Sequence, residues 1–329
     1  SCLISIGVMA YNQEKFVRQT MDCILAQQCH YPFEIIIGDD ASTDNTRKVL
    51  LEYQRKFPNI IKLLPEAPNK GVLKNFRSVI EACTGKYIAF CHCDDYWHDP
   101  MKLEKQISFL ESNPDIGLVH TDANVFFEKS NVTEPAFHRS HNEVIPDGDV
   151  FTAILTGKFF IFTGSACYRK AAVDQYIDFD EFENSGFMYE DLPSWLELSK
   201  HVKFKYLDDA MMTYRVVENS HSHPRHKARK FVLMQGHYQM KKHFIDKYNV
   251  DKKTALEFEL NFHRDKFNIA YNLDNYKEAD DSFRFLQQQH QAGMKMRLKR
   301  TLLRFPFIHQ SLKKLKKAYK PKKQAAVTH

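Results

Sequence analysis

The sequence predicts an α/β protein: a mostly parallel β-sheet flanked by helices, followed by a helical C-terminal region. Over roughly the first hundred residues, short apolar runs alternate with segments of helical periodicity, as in parallel strands joined by crossover helices. Beyond residue 216, helical periodicity continues without strand-like alternation. With 329 residues, 43% of them hydrophobic, the chain is long enough for one large α/β domain and a smaller appendage.

The first part of the chain holds four predicted strands, at residues 3–9, 34–37, 60–64 and 86–91. The predicted helices between them cover residues 14–27, 44–56 and 73–82, and Asp44 is the expected N-cap of the second. Parallel strands joined in this way end at one edge of the sheet, where the active sites of such folds lie. Polar pairs follow three of the strands directly, at residues 11–12, 39–40 and 94–95. We therefore expect these three clusters to meet in one crevice.

The remaining predicted elements are a helix at residues 101–111, a strand at 116–120, segments at 151–157, 165–169 and 189–199, and a last strand region at 204–214. Residues 128–150 are polar and poorly periodic, which predicts a surface loop. We divide the chain into a main domain of residues 1–215, a helical region of residues 216–294 and a basic amphipathic tail of residues 295–329.

The net charge of +6 is unevenly distributed along the chain. The tail holds 12 of the 47 Lys and Arg residues and none of the 41 Asp and Glu residues, so residues 1–294 carry 35 basic against 41 acidic side chains. An acidic globule with a basic tail is expected to meet two different kinds of partner.

Cysteine usage and hydropathy indicate the compartment. No apolar run approaches the roughly 18 residues of a membrane-spanning helix, and the N-terminus lacks the basic leader of a signal peptide. The seven cysteines lie mostly in apolar segments and predict free thiols in a reducing environment. Cys91, His92 and Cys93 have no second ligand pair at the spacing of a structural zinc site. We therefore expect a cytoplasmic protein without disulfide bonds.

Asp94 and Asp95 are candidate ligands of a divalent cation. Two adjacent carboxylates after an apolar strand are costly to hold together unless a cation neutralises them. Carboxylate oxygens suit Mg²⁺ or Mn²⁺, which proteins hold with one or two carboxylates plus substrate phosphates. A solvated turn is the alternative for an isolated pair. The position of this pair on the same sheet edge as Asp39 and Asp40 favours the cation site.

Asp39 and Asp40 follow the second predicted strand. A carboxylate at this position can accept hydrogen bonds from a nucleotide base or from a ribose hydroxyl. The alternative is a turn that caps the next helix, for which Ser42 and Asp44 are already sufficient. Taken alone, this pair leaves both interpretations open.

Several motifs occur in a fixed order, at residues 5–12 (SIGVMAYN), 34–46 (EIIIGDDASTDNT), 69–71 (NKG) with Asn75, 85–90 (GKYIAF) and 94–97 (DDYW). Together they resemble glycosyltransferase family 2, in its inverting, bacterial polysaccharide-biosynthesis type, across residues 1–215. The resemblance implies a GT-A fold, in which a nucleotide-binding α/β sheet holds a divalent cation against the diphosphate of a nucleotide-sugar donor.

Carried over position by position, the resemblance implies a set of donor contacts. Ala10 and Tyr11 line the base pocket, and Asp40, helped by Asp39, contacts the base or the ribose. The family's Asn-x-Gly turn ends here at Gly71. Its following asparagine corresponds to Asn75, which we also assign to the nucleotide-sugar site.

The family's Asp-x-Asp motif falls on residues 92–94. Asp94 matches its last position and is the first expected metal ligand, with Asp95 beside it. Cys93 occupies the middle position and is assigned to the donor site. The chain departs from the motif at His92, where the family has an acid; a neutral histidine can hydrogen-bond ribose or ligate a metal.

Residues 187–195 (FMYEDLPSW) resemble the Glu-Asp segment that supplies the family's catalytic base. An inverting transfer needs a carboxylate opposite the leaving diphosphate to take the acceptor's proton. We assign Asp191 as this base and Glu190 as a residue that orients the acceptor or the base. The alternative is a helix start, where acidic residues favour the helix dipole.

Two further segments carry basic residues. Tyr214-Arg215 and residues 220–223 (SHSH) resemble the segment that closes over the donor diphosphate in some relatives, where Arg or protonated His can hold phosphate; a solvated loop is the alternative. In the tail, leucine, phenylalanine and isoleucine alternate with basic residues, as in stretches that lie on anionic membranes. Nucleic acid is the competing partner of such a tail and is not expected here.

The leading hypothesis is an inverting hexosyltransferase that uses Mn²⁺ or Mg²⁺ and a nucleotide-diphosphate sugar, with UDP as the expected nucleotide. Its acceptor would be a saccharide or lipid-linked saccharide in capsule, O-antigen or other cell-envelope polysaccharide synthesis, at the inner face of the cell membrane. A nucleotidyltransferase is disfavoured because no Gly-rich phosphate loop follows the first strand. A nucleotide-sugar-binding or scaffolding protein that has lost catalysis remains the alternative from another class, because of His92.

Overall fold

A computed structural model describes residues 3–217 and 227–311, apart from residues 306 and 309. The segment at residues 220–223 and the last part of the tail, residues 312–329, lie outside the described residues. The strands are β1 (Ile4–Ala10), β2 (Phe33–Asp39), β3 (Ile61–Leu63), β4 (Tyr87–His92), β5 (Tyr96–Trp97), β6 (Ile116–Phe127), β7 (Val132–Glu134), β8 (Cys167–Arg169) and β9 (Lys203–Val216).

The helices are α1 (Val17–Leu25), α2 (Thr46–Lys56), α3 (Val72–Ala82), α4 (Lys102–Ser112), α5 (Phe137–Ser140), α6 (Phe151–Thr156), α7 (Lys170–Tyr176), α8 (Phe179–Asn184), α9 (Asp191–Leu198), α10 (Lys227–Lys247), α11 (Lys252–Asn272), α12 (Tyr276–Gln288) and α13 (Met294–Leu303). A 3₁₀ turn covers Thr163–Ser165. No helix within the described ranges combines the length and apolarity needed to cross a membrane.

The strands of the described residues form one sheet in the order β3-β2-β1-β4-β8-β6-β9-β5, with β7 paired to β6. β1 runs parallel to both β2 and β4, and β3 runs parallel to β2. β8 is antiparallel to its neighbours β4 and β6, whereas β6 and β9 are parallel to each other. The predicted α/β class, a mostly parallel sheet flanked by helices and followed by helices, is confirmed.

The core of the sheet is apolar because helices cover the faces of its central strands. All seven residues of β1 are buried, as expected for a parallel strand with helices on both sides. Val17, Met21 and Ile24 on α1 recur at helical spacing and belong to the same apolar cluster as Ile4 and Ile6 of β1. This rigid layer fixes where the chain emerges at the ends of β1, β2 and β4.

Several predicted boundaries were wrong. The strand predicted at residues 116–120 continues to Phe127. The prediction stopped too early because the polar residues Thr121 and Asp122, which are fully buried in the strand, interrupt its apolar pattern. Residues 128–150 are not a plain loop, since they contain β7 and α5. The short strand β5 was not predicted.

The predicted N-cap of α2 was displaced by one residue. Asn45 occupies the N-cap position and makes no side-chain capping hydrogen bond. The carboxylate of Asp44 instead accepts hydrogen bonds from the backbone N–H groups of Thr46 and Glu14. It therefore links the start of α2 to the loop that follows β1.

The chain divides into two compact units. One contains the sheet and its helices together with Met240–Lys247, and the other contains the remaining helical residues. In the second unit, the core consists of side chains from α11, α12 and α13 and the loop before α13, among them Phe267, Ala279, Phe283, Ala292 and Leu303.

Candidate active site

The ends of three neighbouring strands form the candidate site. β2, β1 and β4 lie side by side, and their register pairs Ala10 with Asp39 and Met9 with His92. The polar clusters at residues 11–12, 39–40 and 92–95 therefore leave the sheet at one edge, as predicted from parallel strand ends.

The first two clusters are joined by hydrogen bonds. Ala10 is buried and Tyr11 is half-exposed, while Asn12 adopts the left-handed conformation with φ 54°. The Oδ1 atom of Asn12 accepts a hydrogen bond of 2.8 Å from the backbone N–H of Thr43. The loop after β1 and the loop after β2 therefore hold each other in place.

Asp39 has a fully buried side chain. Its Oδ1 accepts a 2.5 Å hydrogen bond from the hydroxyl of Ser42, and its Oδ2 lies 3.4 Å from Nη1 of Arg47. The nearby Arg47 offsets the negative charge of this carboxylate, and Ser42 stabilises it with a hydrogen bond. Asp39 is thereby held rigidly at the end of β2.

Asp40 fixes the turn that begins α3. Its two carboxylate oxygens accept hydrogen bonds from the backbone N–H groups of Lys70 (2.8 Å) and Gly71 (3.0 Å). Gly71 has a φ of 83°, which favours glycine. Asp40 and Gly71 therefore stabilise the turn before α3 together, in addition to the donor contact expected for each of them.

Asn75 has a similar supporting role. Its side chain is buried and its Nδ2 donates a 2.8 Å hydrogen bond to the carbonyl oxygen of Gly38. Asn75 lies on the second turn of α3, and this bond ties that helix to the end of β2.

The segment of residues 92–95, here called the cation turn, brings together three possible metal ligands. Ligand atoms of His92, Asp94 and Asp95 all lie within 4.8 Å of one another. Asp95 is buried, and its backbone N–H donates to the carbonyl oxygen of His92. Two carboxylates and an imidazole are a ligand set suited to Mn²⁺ or Mg²⁺, so the residues fit the expected ion.

Charges within the cation turn affect each other strongly. Burial raises the pKa of Asp95 to about 8, and the charge of Asp94 adds to this effect, while His92 and Arg215 oppose it. Burial alone would lower the pKa of His92, but Glu190 above all, with Asp94 and Asp95, raises it to about 10. Excess negative charge in a confined space is what a bound cation would neutralise.

Cys93 does not project into the crevice with its neighbours. Its thiol is almost fully buried within the apolar core, and burial raises its pKa well above the usual range. Cys93 follows directly after the last residue of β4, and its side chain packs in the same apolar cluster as Cys91. The side chain of Cys93 therefore packs in the core, and the assignment of this residue to the donor site stays a prediction.

The second functional segment begins α9. Asp191 is the first residue of that helix, and its Oδ2 accepts a 3.0 Å hydrogen bond from the hydroxyl of Thr163. Its Oδ1 accepts from the backbone N–H of Leu192. Burial raises the pKa of Asp191 to about 6, and the neighbouring charge of Glu190 contributes.

Glu190 brings this segment to the cation turn. Its carboxylate is buried, and Oε1 lies 3.3 Å from Nε2 of His92. That nitrogen is buried and lacks a partner with hydrogen-bond geometry, so the contact is an ion pair without a well-aligned hydrogen bond. The structure therefore brings the two predicted functional segments together.

Arg215, for which the sequence suggested a contact with phosphate, is held by neighbouring protein groups. Its guanidinium is buried and bonded to protein groups: Nη1 contacts Oε2 of Glu128 at 2.7 Å, and Nη2 donates to Oε1 of Gln19 at 2.6 Å. Both terminal nitrogens of the guanidinium therefore have protein partners in this structure. Sequence reasoning also missed Thr20, whose hydroxyl donates to the carbonyl oxygen of Asp95 at 2.7 Å, and Thr163. No sequence pattern around a single threonine or arginine indicates a hydrogen bond to a residue far away in the chain.

Comparison with known proteins identifies the family of this chain. The family described as Glycosyl transferase family 2 matches residues 5–177, more than half of the chain. The protein therefore belongs to glycosyltransferase family 2.

Among curated relatives, an uncharacterized protein of Mycobacterium tuberculosis is 35% identical over 170 residues, covering 51% of this chain and 47% of that protein. The putative teichuronic acid biosynthesis glycosyltransferase TuaG of Bacillus subtilis is 35% identical over 108 residues, covering 33% of this chain and 42% of that protein. The chain thus spans about half the length of the first of these relatives.

Two solved structures share the fold. The mannosyltransferase PcManGT of Pyrobaculum calidifontis, in complex with GDP-Man and Mn²⁺, has a TM-score of 0.57 at 15% identity, covering 94% of this chain and 86% of that one. S. aureus TarS 1-349 in complex with UDP-GlcNAc has a TM-score of 0.51 at 15% identity, covering 88% and 92%. At such low identity the likeness shows the GT-A-like fold alone.

Proposed function

We propose that the protein is an inverting glycosyltransferase. It would move a hexose from a nucleotide-diphosphate sugar, with UDP as the expected nucleotide, to a hydroxyl of a saccharide or lipid-linked saccharide. The observation that carries this proposal is the contact between Glu190 and His92, which puts the candidate base segment beside the cation turn. Membership of the family supports the reaction class.

Donor binding is assigned to the edge where β1, β2 and β4 end. Ala10, Tyr11, Asp39 and Asp40 are the proposed contacts of base and ribose, and Gly71 and Asn75 support that pocket. TarS was solved with UDP-GlcNAc and PcManGT with GDP-Man, so both bases enter the test below.

Asp94, Asp95 and His92 are the proposed ligands of Mn²⁺ or Mg²⁺. A bound divalent ion would stabilise negative charge on the departing nucleoside diphosphate. The complex of PcManGT with Mn²⁺ supports a divalent ion in this fold. The adjacent carboxylates of Asp94 and Asp95, of which Asp95 is buried, are the feature that favours it here.

Asp191 is the proposed general base. As the acceptor oxygen forms its bond to the anomeric carbon and the bond to the diphosphate oxygen breaks, the acceptor hydroxyl gives its proton to Asp191. A pKa of about 6 leaves this carboxylate deprotonated at neutral pH yet basic enough to accept a proton. Thr163 and the N–H of Leu192 fix its orientation.

The acceptor is assigned to cell-envelope polysaccharide synthesis, of capsule or O-antigen type. The name of TuaG, which links a relative to teichuronic acid biosynthesis, supports this class. We further propose that the basic tail places the protein on the inner face of the cell membrane. Exposed apolar side chains in its described part support this: Leu298, Phe305, Phe307 and Ile308.

A thermal-shift panel of UDP, GDP, dTDP and CMP, each with Mn²⁺ or EDTA, tests the donor site. A nucleotide at about 100 times its Kd stabilises the folded state by roughly 2.7 kcal/mol. A shift with one diphosphate that vanishes in EDTA supports donor and cation together. A shift that persists in EDTA contradicts the metal role of Asp94 and Asp95, and no shift with any nucleotide contradicts donor binding.

A nucleotide-sugar-binding or scaffolding protein without catalysis is the second candidate, favoured by His92 in place of the family's acid. The Asp191→Asn variant separates the two, with Asp191→Glu as the charge-retaining control. An enzyme loses turnover of the donor in Asp191→Asn while its nucleotide affinity stays unchanged. A binding protein shows no donor turnover in either the parent or the variant.

A further inference from the structure

Arg215 is the second-to-last residue of β9, and it makes two contacts with the cation turn. Its backbone N–H donates a 2.9 Å hydrogen bond to Oδ1 of Asp95, and its Nε donates a 2.9 Å hydrogen bond to the carbonyl oxygen of Asp94. One residue thus holds both a carboxylate and the backbone of the proposed metal ligands. The two partners lie 120 and 121 residues earlier in the chain.

The other end of the guanidinium is held equally firmly. Beyond the bonds to Glu128 and Gln19, the group lies 4.5 Å from the ring centroid of Phe16 and 5.3 Å from that of Phe126. Its side chain is only 7% exposed. A planar guanidinium held by bonds at Nε, Nη1 and Nη2 cannot turn toward a ligand without breaking several of them.

We propose that Arg215 is a positioning residue that sets the affinity of the cation turn for its divalent ion, and that it does not bind the donor diphosphate. This inference rests on the proposed function of the turn as a cation site. Groups that orient metal ligands from behind typically change metal affinity by about 10- to 100-fold when altered.

Thr20 provides a second, independent hold on the same turn. Its hydroxyl donates to the carbonyl oxygens of Asp95 and Cys93, at 2.7 and 3.1 Å. Loss of the side-chain contacts of Arg215 therefore loosens the turn without releasing it. We expect Arg215 variants to fold and to differ from the parent in cation affinity.

The test is a direct titration of Mn²⁺ with the full chain, in which free Mn²⁺ is followed by its electron paramagnetic resonance signal, without donor or turnover. Arg215→Lys keeps the charge and the backbone N–H bond to Asp95, but it cannot make the three side-chain contacts together. We expect it to weaken Mn²⁺ binding by about 10-fold or more. UDP affinity in EDTA should stay as in the parent.

Arg169→Lys is the matched control. Arg169 bonds to the carbonyl oxygens of Ile116, Leu110 and Asn113, and to the hydroxyl of Tyr87, at the end of β4 opposite His92. This variant loses comparable structural contacts, so its melting temperature should fall. Its Mn²⁺ affinity should not change.

The possible results distinguish a failure of the positioning role of Arg215 from a failure of the proposed cation site. If the parent binds Mn²⁺ and Arg215→Lys binds it equally well, only the positioning role is overturned. If Arg215→Lys loses UDP affinity in EDTA, Arg215 is a diphosphate ligand and the inference is also overturned. If the parent itself binds no Mn²⁺, the proposed cation site fails, and the inference fails with it.

A gentler variant decides the matter should Arg215→Lys not fold. Glu128 is 43% exposed and contacts Nη1 of Arg215, so Glu128→Gln weakens one hold on the guanidinium with little risk to the fold. A smaller loss of Mn²⁺ affinity in this variant supports the inference. An unchanged affinity overturns it.

Discussion

Nε2 of His92 lies 3.3 Å from Oε1 of Glu190, although 98 positions separate the two residues in the chain. The contact joins the end of β4 to the start of α9. It also accounts for the histidine, because the imidazole gives a buried carboxylate a polar partner, without which its burial would be costly. In this protein, the residue that departs from the family's acidic motif is paired with the segment proposed to carry the base.

The pairing of His92 with Glu190 predicts non-additive stability. Each of His92→Asn and Glu190→Gln should destabilise the fold, and the double variant should lose less than their sum, by about 0.5 to 3 kcal/mol. Urea unfolding of the four proteins measures this coupling. The exposed pair of Arg18 and Glu52 is the control, since its coupling should stay below about 1 kcal/mol. Equal coupling in both pairs would contradict a special role for the buried pair.

The pKa of Asp191 predicts the pH dependence of turnover. Because the base must be deprotonated and its pKa is raised to about 6, kcat/KM should fall about tenfold for each pH unit well below 6 and level off above it. Glu190 contributes to the raised pKa, so Glu190→Gln should move the acidic limb to lower pH. A pH–rate profile of both proteins tests this. A limb that does not move in Glu190→Gln would show that Asp191 is not the titrating group.

Lys102 predicts a pH effect on stability. It is fully buried, with Nζ 2.6 Å from Oε1 of Gln106, and burial lowers its pKa to about 8. The unfolded chain therefore binds this proton more tightly, and the folded state gains stability as the pH rises from about 8 toward the ordinary lysine value. Relative to Lys102→Met, the parent should gain up to about 3 kcal/mol over that range.

The control for Lys102 is the exposed Lys105, whose pKa is raised by its contact with Asp99. Its stabilising charge is fully present below the ordinary lysine pKa, so Lys105→Met should show little change relative to the parent between about pH 8 and 10. Urea unfolding at several pH values measures both differences. Parallel curves for the two variants would contradict the buried-lysine prediction.

Gly38 predicts a steric effect on the donor edge. A Cβ atom at Gly38 would lie 2.6 Å from Oδ1 of Asn75 and 2.6 Å from Cγ2 of Val79. Gly38→Ala should therefore cost about 1 to 3 kcal/mol and weaken nucleotide binding, because it displaces the end of β2 beside Asp39. Gly293→Ala is the control, since nothing lies within 4 Å of its Cβ position. Thermal melting and UDP titration check both variants, and a Gly38→Ala protein that behaves like the control contradicts the packing argument.

The tail predicts binding to anionic vesicles. Leu298 is 62% exposed and Phe307 is 87% exposed, in a stretch without acidic residues. Replacing both by Asp should weaken co-sedimentation with phosphatidylglycerol vesicles at least about tenfold, because each large apolar side chain contributes roughly 1.5 to 3 kcal/mol when it leaves water. Val144→Asp, at a position 88% exposed in the other unit, is the control. Unchanged binding of the double variant would contradict membrane docking by this surface.

Residues close together in the chain account for what was predictable. Strand–helix alternation predicted the sheet, and strand ends predicted that residues 11–12, 39–40 and 94–95 share an edge. Ordered motifs indicated the family. The prediction was wrong where polar residues are buried inside a strand: Thr121 and Asp122 concealed the second half of β6.

The sequence by itself determined the fold class, the helical C-terminal region and the family, because periodicity and motifs are properties of neighbouring residues. Only the tertiary structure decided which side chains face the crevice and which support it. It placed the thiol of Cys93 in the core, and it bonded the carboxylate of Asp40 to the turn before α3. It also brought Arg215 into contact with Asp95, and Glu190 into contact with His92. These contacts join residues about a hundred positions apart, and their hydrogen bonds and ion pairs form only when packing brings the distant segments together.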